Sequence, residues 1–140
     1  MKLEQIFLVQ DSFAKIEPAA EAAADLFYGR LFVLDPALRV LFPANLTAQK
    51  HKLMTMLKVA VNSLNRLDDL IPVVQALGWR HGTYGVTADQ YETVGAALLW
   101  TLEQGLGADF TPEVKAAWTA VYSLLANIMK QAQTAQVTAA

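Results

Sequence analysis

Trp79-Arg80-His81-Gly82-Thr83-Tyr84-Gly85-Val86-Thr87-Ala88-Asp89-Gln90 is the stretch on which the fold turns. Before it, Asp68 to Arg80 reads as a helix weakened by Pro72 and expected to end between Gly78 and Gly82. After it, Thr87-x-x-Gln90 has the form of a capping box and opens a helix expected to run to Gly105. His81 therefore stands where one helix closes and a short glycine-containing connection begins. A histidine there can serve the helix carbonyls and the helix dipole, or it can bind a metal. Its position alone leaves both open.

Working outward, the periodicity stays helical. Ile6, Val9, Phe13 and Ile16 recur at spacings of three and four, and Glu17-Pro18 closes that first helix. A second helix carries Ala24, Phe27, Tyr28, Leu31 and Phe32 and stops near Asp35-Pro36. A short turn of helix over Pro36–Leu41 leads into the irregular Phe42-Pro43-Ala44-Asn45. Thr47 to Leu64 is a long helix with Leu53, Leu57, Ala60 and Leu64 on one side and Lys50, Lys52 and Lys58 on a solvated face. Thr111-Pro112-Glu113 supplies a cap, a proline at the first helical position and an early acid, opening a last helix through Trp118, Tyr122, Leu125 and Met129. Six or seven helices with no alternating strand pattern predict an all-α domain spanning residues 1–140. The polar end, Gln131 to Ala140, is expected to fray.

Composition narrows the function classes. Of 140 residues, 54% are hydrophobic and only 17% are charged, which calls for a large core or for something apolar that the core wraps. A net charge of −2 lacks the basic footprint of a nucleic-acid binder. With no cysteine, a disulfide framework and a thiolate metal site are both excluded. Neither a secretory leader nor a run of the ~18 apolar residues needed to span a bilayer is present, so the expectation is a cytoplasmic protein without membrane contact.

Few side chains are left to carry chemistry. His51 lies between two lysines on the face opposite the apolar stripe and reads as a surface residue. Tyr28 shares the apolar face of its helix, so its hydroxyl needs a partner. Gln49 heads the stripe that continues through Leu53 and Leu57. Two donors entering an otherwise apolar cavity are what a diatomic ligand would need.

Several blocks, in order and nearly along the whole chain, resemble single-domain bacterial globins of the flavohaemoglobin type. They are Leu26-Phe-Tyr28, Leu41-Phe42-Pro43, Gln49-Lys-His-Lys-Leu-Met54, His81-Gly-Thr-Tyr-Gly-Val86, Tyr91-Glu-Thr-Val-Gly95 with Ala97-Leu-Leu, and Lys115-Ala-Ala-Trp118-x-x-x-Tyr122. The resemblance implies a globin fold of about seven helices around a haem pocket. It makes His81 the axial ligand of the iron of haem b. Phe42, Leu53, Val86, Tyr91 and Val94 would line or support the haem, and Tyr28 and Gln49 would form the distal, gas-facing pair. It also places a glutamate on the last helix, eleven residues beyond Tyr122, where this chain has Gln133.

The resemblance implies binding of oxygen and other diatomic gases, with conversion of nitric oxide to nitrate as a secondary activity. Turnover would require a separate reductase, since 140 residues hold no flavin or nicotinamide domain. Losing the proximal acid would weaken electron donation through His81 and disfavour peroxidase-like chemistry. A haem-based gas sensor or electron-transfer module acting through a partner is the alternative. A helical interaction module without haem is the third reading.

Overall fold

Ile6, Val9, Phe13 and Ile16 are all buried along one side of α1 (Leu3–Ile16), as their spacing predicts. The computed structural model describes residues 2–83 and 86–139, the side chains of residues 82, 83 and 134–139 excepted. Tyr84 and Gly85 of the opening stretch thus lie outside the described residues. A 3₁₀ turn at Glu17–Ala19, with Pro18 inside it, joins α1 to α2 (Ala20–Leu34). A second, at Pro36–Leu41, starts where the Asp35 carboxylate accepts from the Ala37 N–H at 3.2 Å. There follow α3 (Thr47–Asn62), α4 (Leu67–Thr83), α5 (Ala88–Leu106), a 3₁₀ turn at Gly107–Asp109, and α6 (Pro112–Ala139). Among the described residues there are six α-helices and no strand.

The most extensive helix packings are α4 on α6, α2 on α5, and α1 on α6. Val9, Leu31, Leu64, Leu70, Trp118 and Val121 lie at the centre. Burying Trp118 requires a partner for its indole N–H. Ser12 provides it at 2.8 Å, and the same hydroxyl donates to the Leu8 carbonyl at 2.7 Å. Phe13 packs against Trp118 with ring centroids 6.4 Å apart.

Both expected caps form. Gln90 returns its side chain to the Thr87 N–H at 2.9 Å, and Thr111 Oγ1 accepts from the Val114 N–H at 3.2 Å. Gly107, at φ +55°, closes α5 in a conformation open to glycine and strained for other residues.

One helix end falls beside its expected place and two differ. α4 closes at Thr83, one residue beyond the interval Gly78 to Gly82 in which its end was expected, with Pro72 inside it. Gly78 is there for contact: a Cβ on it would sit 2.6 Å from both the Cα and the carbonyl oxygen of Met129. Its missing side chain lets α4 and α6 touch backbone to backbone. α3 ends at Asn62, short of Leu64, where the Ser63 N–H turns back to the Val59 and Ala60 carbonyls. α6 continues past Met129 into the polar end that was expected to fray, and Gln133 holds partners on two other segments.

Candidate functional site

Two groups of the singled-out residues come together. The first is built on α2, the corner after it, and the start of α3. Tyr28 is buried beside Phe27 and Phe42, whose rings meet it edge-on at 5.0 and 5.6 Å, and beside Phe32 at 6.1 Å. Burial raises the pKa of its hydroxyl, and a hydrogen bond with the Gln49 side chain from α3 opposes that rise. The phenol therefore stays protonated at neutral pH and keeps a proton to donate. Gln49 is half-buried, and Leu53 follows one turn later. Leu53, Met54 and Leu57 wall an apolar cavity of about 20 Å³ shared with Phe27, Leu98 and Trp118. A space of this size admits one very small molecule.

Phe42 closes the 3₁₀ turn, its N–H on the Arg39 carbonyl at 3.2 Å, and opens an irregular corner. Arg39 holds that corner. Its guanidinium donates to three successive carbonyls, Phe42 at 3.2 Å, Pro43 at 2.9 Å and Ala44 at 3.0 Å, and lies over the Phe32 ring at 5.3 Å. Sequence reasoning missed Arg39. The available signal was a run of carbonyls without regular structure, three residues after a five-donor side chain.

The second group surrounds His81, half-buried in the last turn of α4. Its Nδ1 lies 2.8 Å from the Leu77 carbonyl oxygen. A carbonyl only accepts, so Nδ1 carries the proton and Nε2 the lone pair. Burial lowers the imidazole pKa below its usual value; the Leu77 carbonyl opposes this, and the Arg80 charge adds to it. The ring is accordingly neutral at neutral pH, the state in which histidine binds a metal.

Tyr91 of α5 is buried with its ring alongside the His81 imidazole, centroids 6.3 Å apart and planes at 26°. Its hydroxyl donates to Gln133 Oε1 at 2.9 Å, and Gln133 Nε2 donates to the Val86 carbonyl at 3.0 Å. The Val86 N–H in turn donates to the His81 carbonyl at 3.1 Å. Tyr122 donates its hydroxyl to the Tyr91 carbonyl, and its ring packs where Gly95 has no side chain. Burial pushes the Tyr91 pKa up to about 12, and that of Tyr122 higher still. Val94, one turn after Tyr91, is half-buried against the core. His51 is exposed, as its place between lysines predicts.

A helical domain with a half-buried histidine and an aromatic corner can be compared with known families. Residues 25–129 match the family model for globins. The chain belongs to the globin family. It is 29% identical over 127 residues to a flavohemoprotein of Bacillus subtilis, covering 87% of this chain but only 31% of that longer protein. It is also 29% identical over 136 residues to a neuroglobin of Danio rerio, covering 87% of this globin and 86% of the relative. Among solved structures, an engineered carbene transferase made from a protein of Rhodothermus marinus assigned as a nitric oxide dioxygenase superposes with a TM-score of 0.86. The identity there is 27%, with 100% of this chain and 99% of that chain covered.

Globin membership implies haem, and the residues present fit it. A metal-binding histidine commonly donates its other ring N–H to a backbone carbonyl, which fixes the tautomer and the ring orientation. His81 does so through Leu77. No helix among the described residues is long and apolar enough to cross a membrane.

Proposed function

We propose that this globin holds haem b through His81 and binds oxygen and other diatomic gases beside Tyr28 and Gln49. The observation that carries the reading is the His81 tautomer. With Nδ1–H committed to Leu77, the imidazole presents its Nε2 lone pair in a fixed orientation. Bound haem would supply an iron centre that His81 Nε2 would hold and that would bind a diatomic gas.

The chain's own residues determine what such a gas meets. Phe42, Leu53, Val86, Tyr91 and Val94 are the residues assigned to lining and supporting the haem. Phe42 is half-buried against the core and packed edge-on against Tyr28, so it offers an apolar ring. Tyr28 is kept protonated and Gln49 cannot ionise, so both remain hydrogen-bond donors across the neutral pH range. Preorganised donors in an apolar setting favour a ligand that gathers negative charge, and oxygen does so more than carbon monoxide.

Conversion of nitric oxide to nitrate is proposed as a second activity, with electrons supplied by a reductase. The flavohemoprotein relative and the engineered carbene transferase support this reading.

Absorbance spectroscopy tests the haem assignment. Wild-type protein titrated with haemin should give a Soret band at one equivalent, and His81→Gly should lose the wild-type spectrum and recover it with added imidazole. A His81→Gly spectrum identical to wild type would refute the ligand. For the gas-facing pair, Tyr28→Phe should release oxygen about tenfold faster or more, the loss expected of one hydrogen bond to a charged acceptor. An unchanged release rate would remove Tyr28 from that role.

A further inference from the structure

Gln133 is a half-buried amide with both ends in use. Nε2 donates to the Val86 carbonyl at 3.0 Å, and Oε1 accepts from the Tyr91 hydroxyl at 2.9 Å. The orientation of the amide follows from its partners. A carbonyl cannot donate, so the nitrogen must face Val86 and the oxygen is left for the tyrosine hydroxyl. Both partners lead back to His81 by separate routes. The Val86 N–H donates to the His81 carbonyl at 3.1 Å, and the Tyr91 ring lies alongside the imidazole. One side chain on α6 thereby joins the backbone that follows His81 to the ring that flanks it.

We infer that Gln133 is a positioning residue for His81, a two-point clasp whose chemistry requires an amide and not an acid. This rests on the reading of His81 as the haem ligand. A glutamate here would accept from Tyr91 but carry no proton for Val86. Two oxygens would then face each other across the 3.0 Å now spanned by a hydrogen bond. The residue that breaks the resemblance is thus more than a missing charge. It exchanges an anionic neighbour of Tyr91 for a neutral connection from α6 to the segment after His81.

The test uses haem-loaded wild type, Gln133→Glu, Gln133→Met and Tyr91→Phe. Exchange of the Val86 amide hydrogen, which donates to the His81 carbonyl, reports whether the segment that Gln133 holds by the Val86 carbonyl keeps its place, and the iron–histidine stretching band of the ferrous protein reports the orientation of His81. Gln133→Glu and Gln133→Met should each speed Val86 exchange about fivefold, because the segment loses the neutral hydrogen bond at the Val86 carbonyl and its N–H bond to the His81 carbonyl opens more often. Tyr91→Phe should leave Val86 exchange within about twofold of wild type, because the Gln133–Val86 bond survives. All three should shift or broaden the band, Gln133→Met most.

Unchanged Val86 exchange in both Gln133 variants overturns the clasp. Faster exchange with an unmoved band reduces Gln133 to a structural tie and overturns its positioning role. If His81→Gly keeps the wild-type spectrum, the ligand assignment fails by itself, while Val86 exchange in the same samples still reports on the clasp.

Discussion

The backbone contact between α4 and α6 makes Gly78→Ala the sharpest probe of this fold. The added Cβ would meet Met129 Cα and O at 2.6 Å and the Met129 carbonyl carbon at 3.0 Å. All three are backbone atoms, so no side chain can swing aside. Restoring ordinary contact near 3.4 Å requires α4 and α6 to part by about 0.8 Å. With backbone on both sides, the upper part of the usual overpacking range applies, about 2–3 kcal/mol. Alanine's better helix propensity offsets about 1 kcal/mol of that, leaving a net loss of roughly 1–2 kcal/mol. For a chain of 140 residues each kcal/mol moves the melting midpoint by about 3 °C, so the expected fall is roughly 3–6 °C.

Gly29→Ala is the matched control. It lies on α2, is exposed, and has nothing within 4 Å of an added Cβ. The same chemical change should there raise the midpoint by about 3 °C through propensity alone. Circular dichroism melts of the two variants, with and without haem, decide the matter. A Gly78→Ala protein melting at or above wild type would refute the close approach. So would equal shifts at the two positions.

Two further predictions concern buried polar groups. Ser12→Ala removes the acceptor of the Trp118 indole N–H while leaving the indole buried; the expected cost is about 1–3 kcal/mol, read as a lower urea midpoint at unchanged slope. Ser12→Gly would confuse this with a helix effect and is the wrong comparison. Tyr91 and Tyr122 both titrate higher folded than unfolded, so above the unfolded value near 10 the unfolded chain loses protons that the folded one keeps. Stability should be fully present below about pH 10 and fall as the pH rises toward 12; Tyr91→Phe should flatten that decline, and a parallel decline would contradict it.

Much of this architecture was legible in the sequence because helical periodicity and capping are local. The buried face of α1, the capping box at Thr87 and the cap at Thr111 need only neighbours a few residues away. Tyr28 was readable as a buried hydroxyl in want of a partner, because an apolar helix face leaves it no water. The reason for Gly78 was not legible, because it lies 51 residues away in the backbone of Met129, where no local rule reaches. What holds the start of the polar end was illegible for a related cause. Gln133 looks like a tail residue by composition, and only the partners at Val86 and Tyr91 show what holds it. His81 was ambiguous by position; its tautomer, the fact that narrows its chemistry, depends on a carbonyl one turn back whose orientation the sequence does not display.

The corner between α2 and α3 has a further consequence for which positions are free to vary. Arg39 recognises carbonyl oxygens, which every amino acid has, and not the side chains of Pro43 or Ala44. The shape of that corner is therefore encoded at residue 39 and only weakly at the residues that adopt it. Lysine would be a poor substitute, since a single ammonium lacks the planar fork that spans adjacent acceptors. A library randomised at 43 and 44 should return many folded clones, and one randomised at 39 should return mostly arginine.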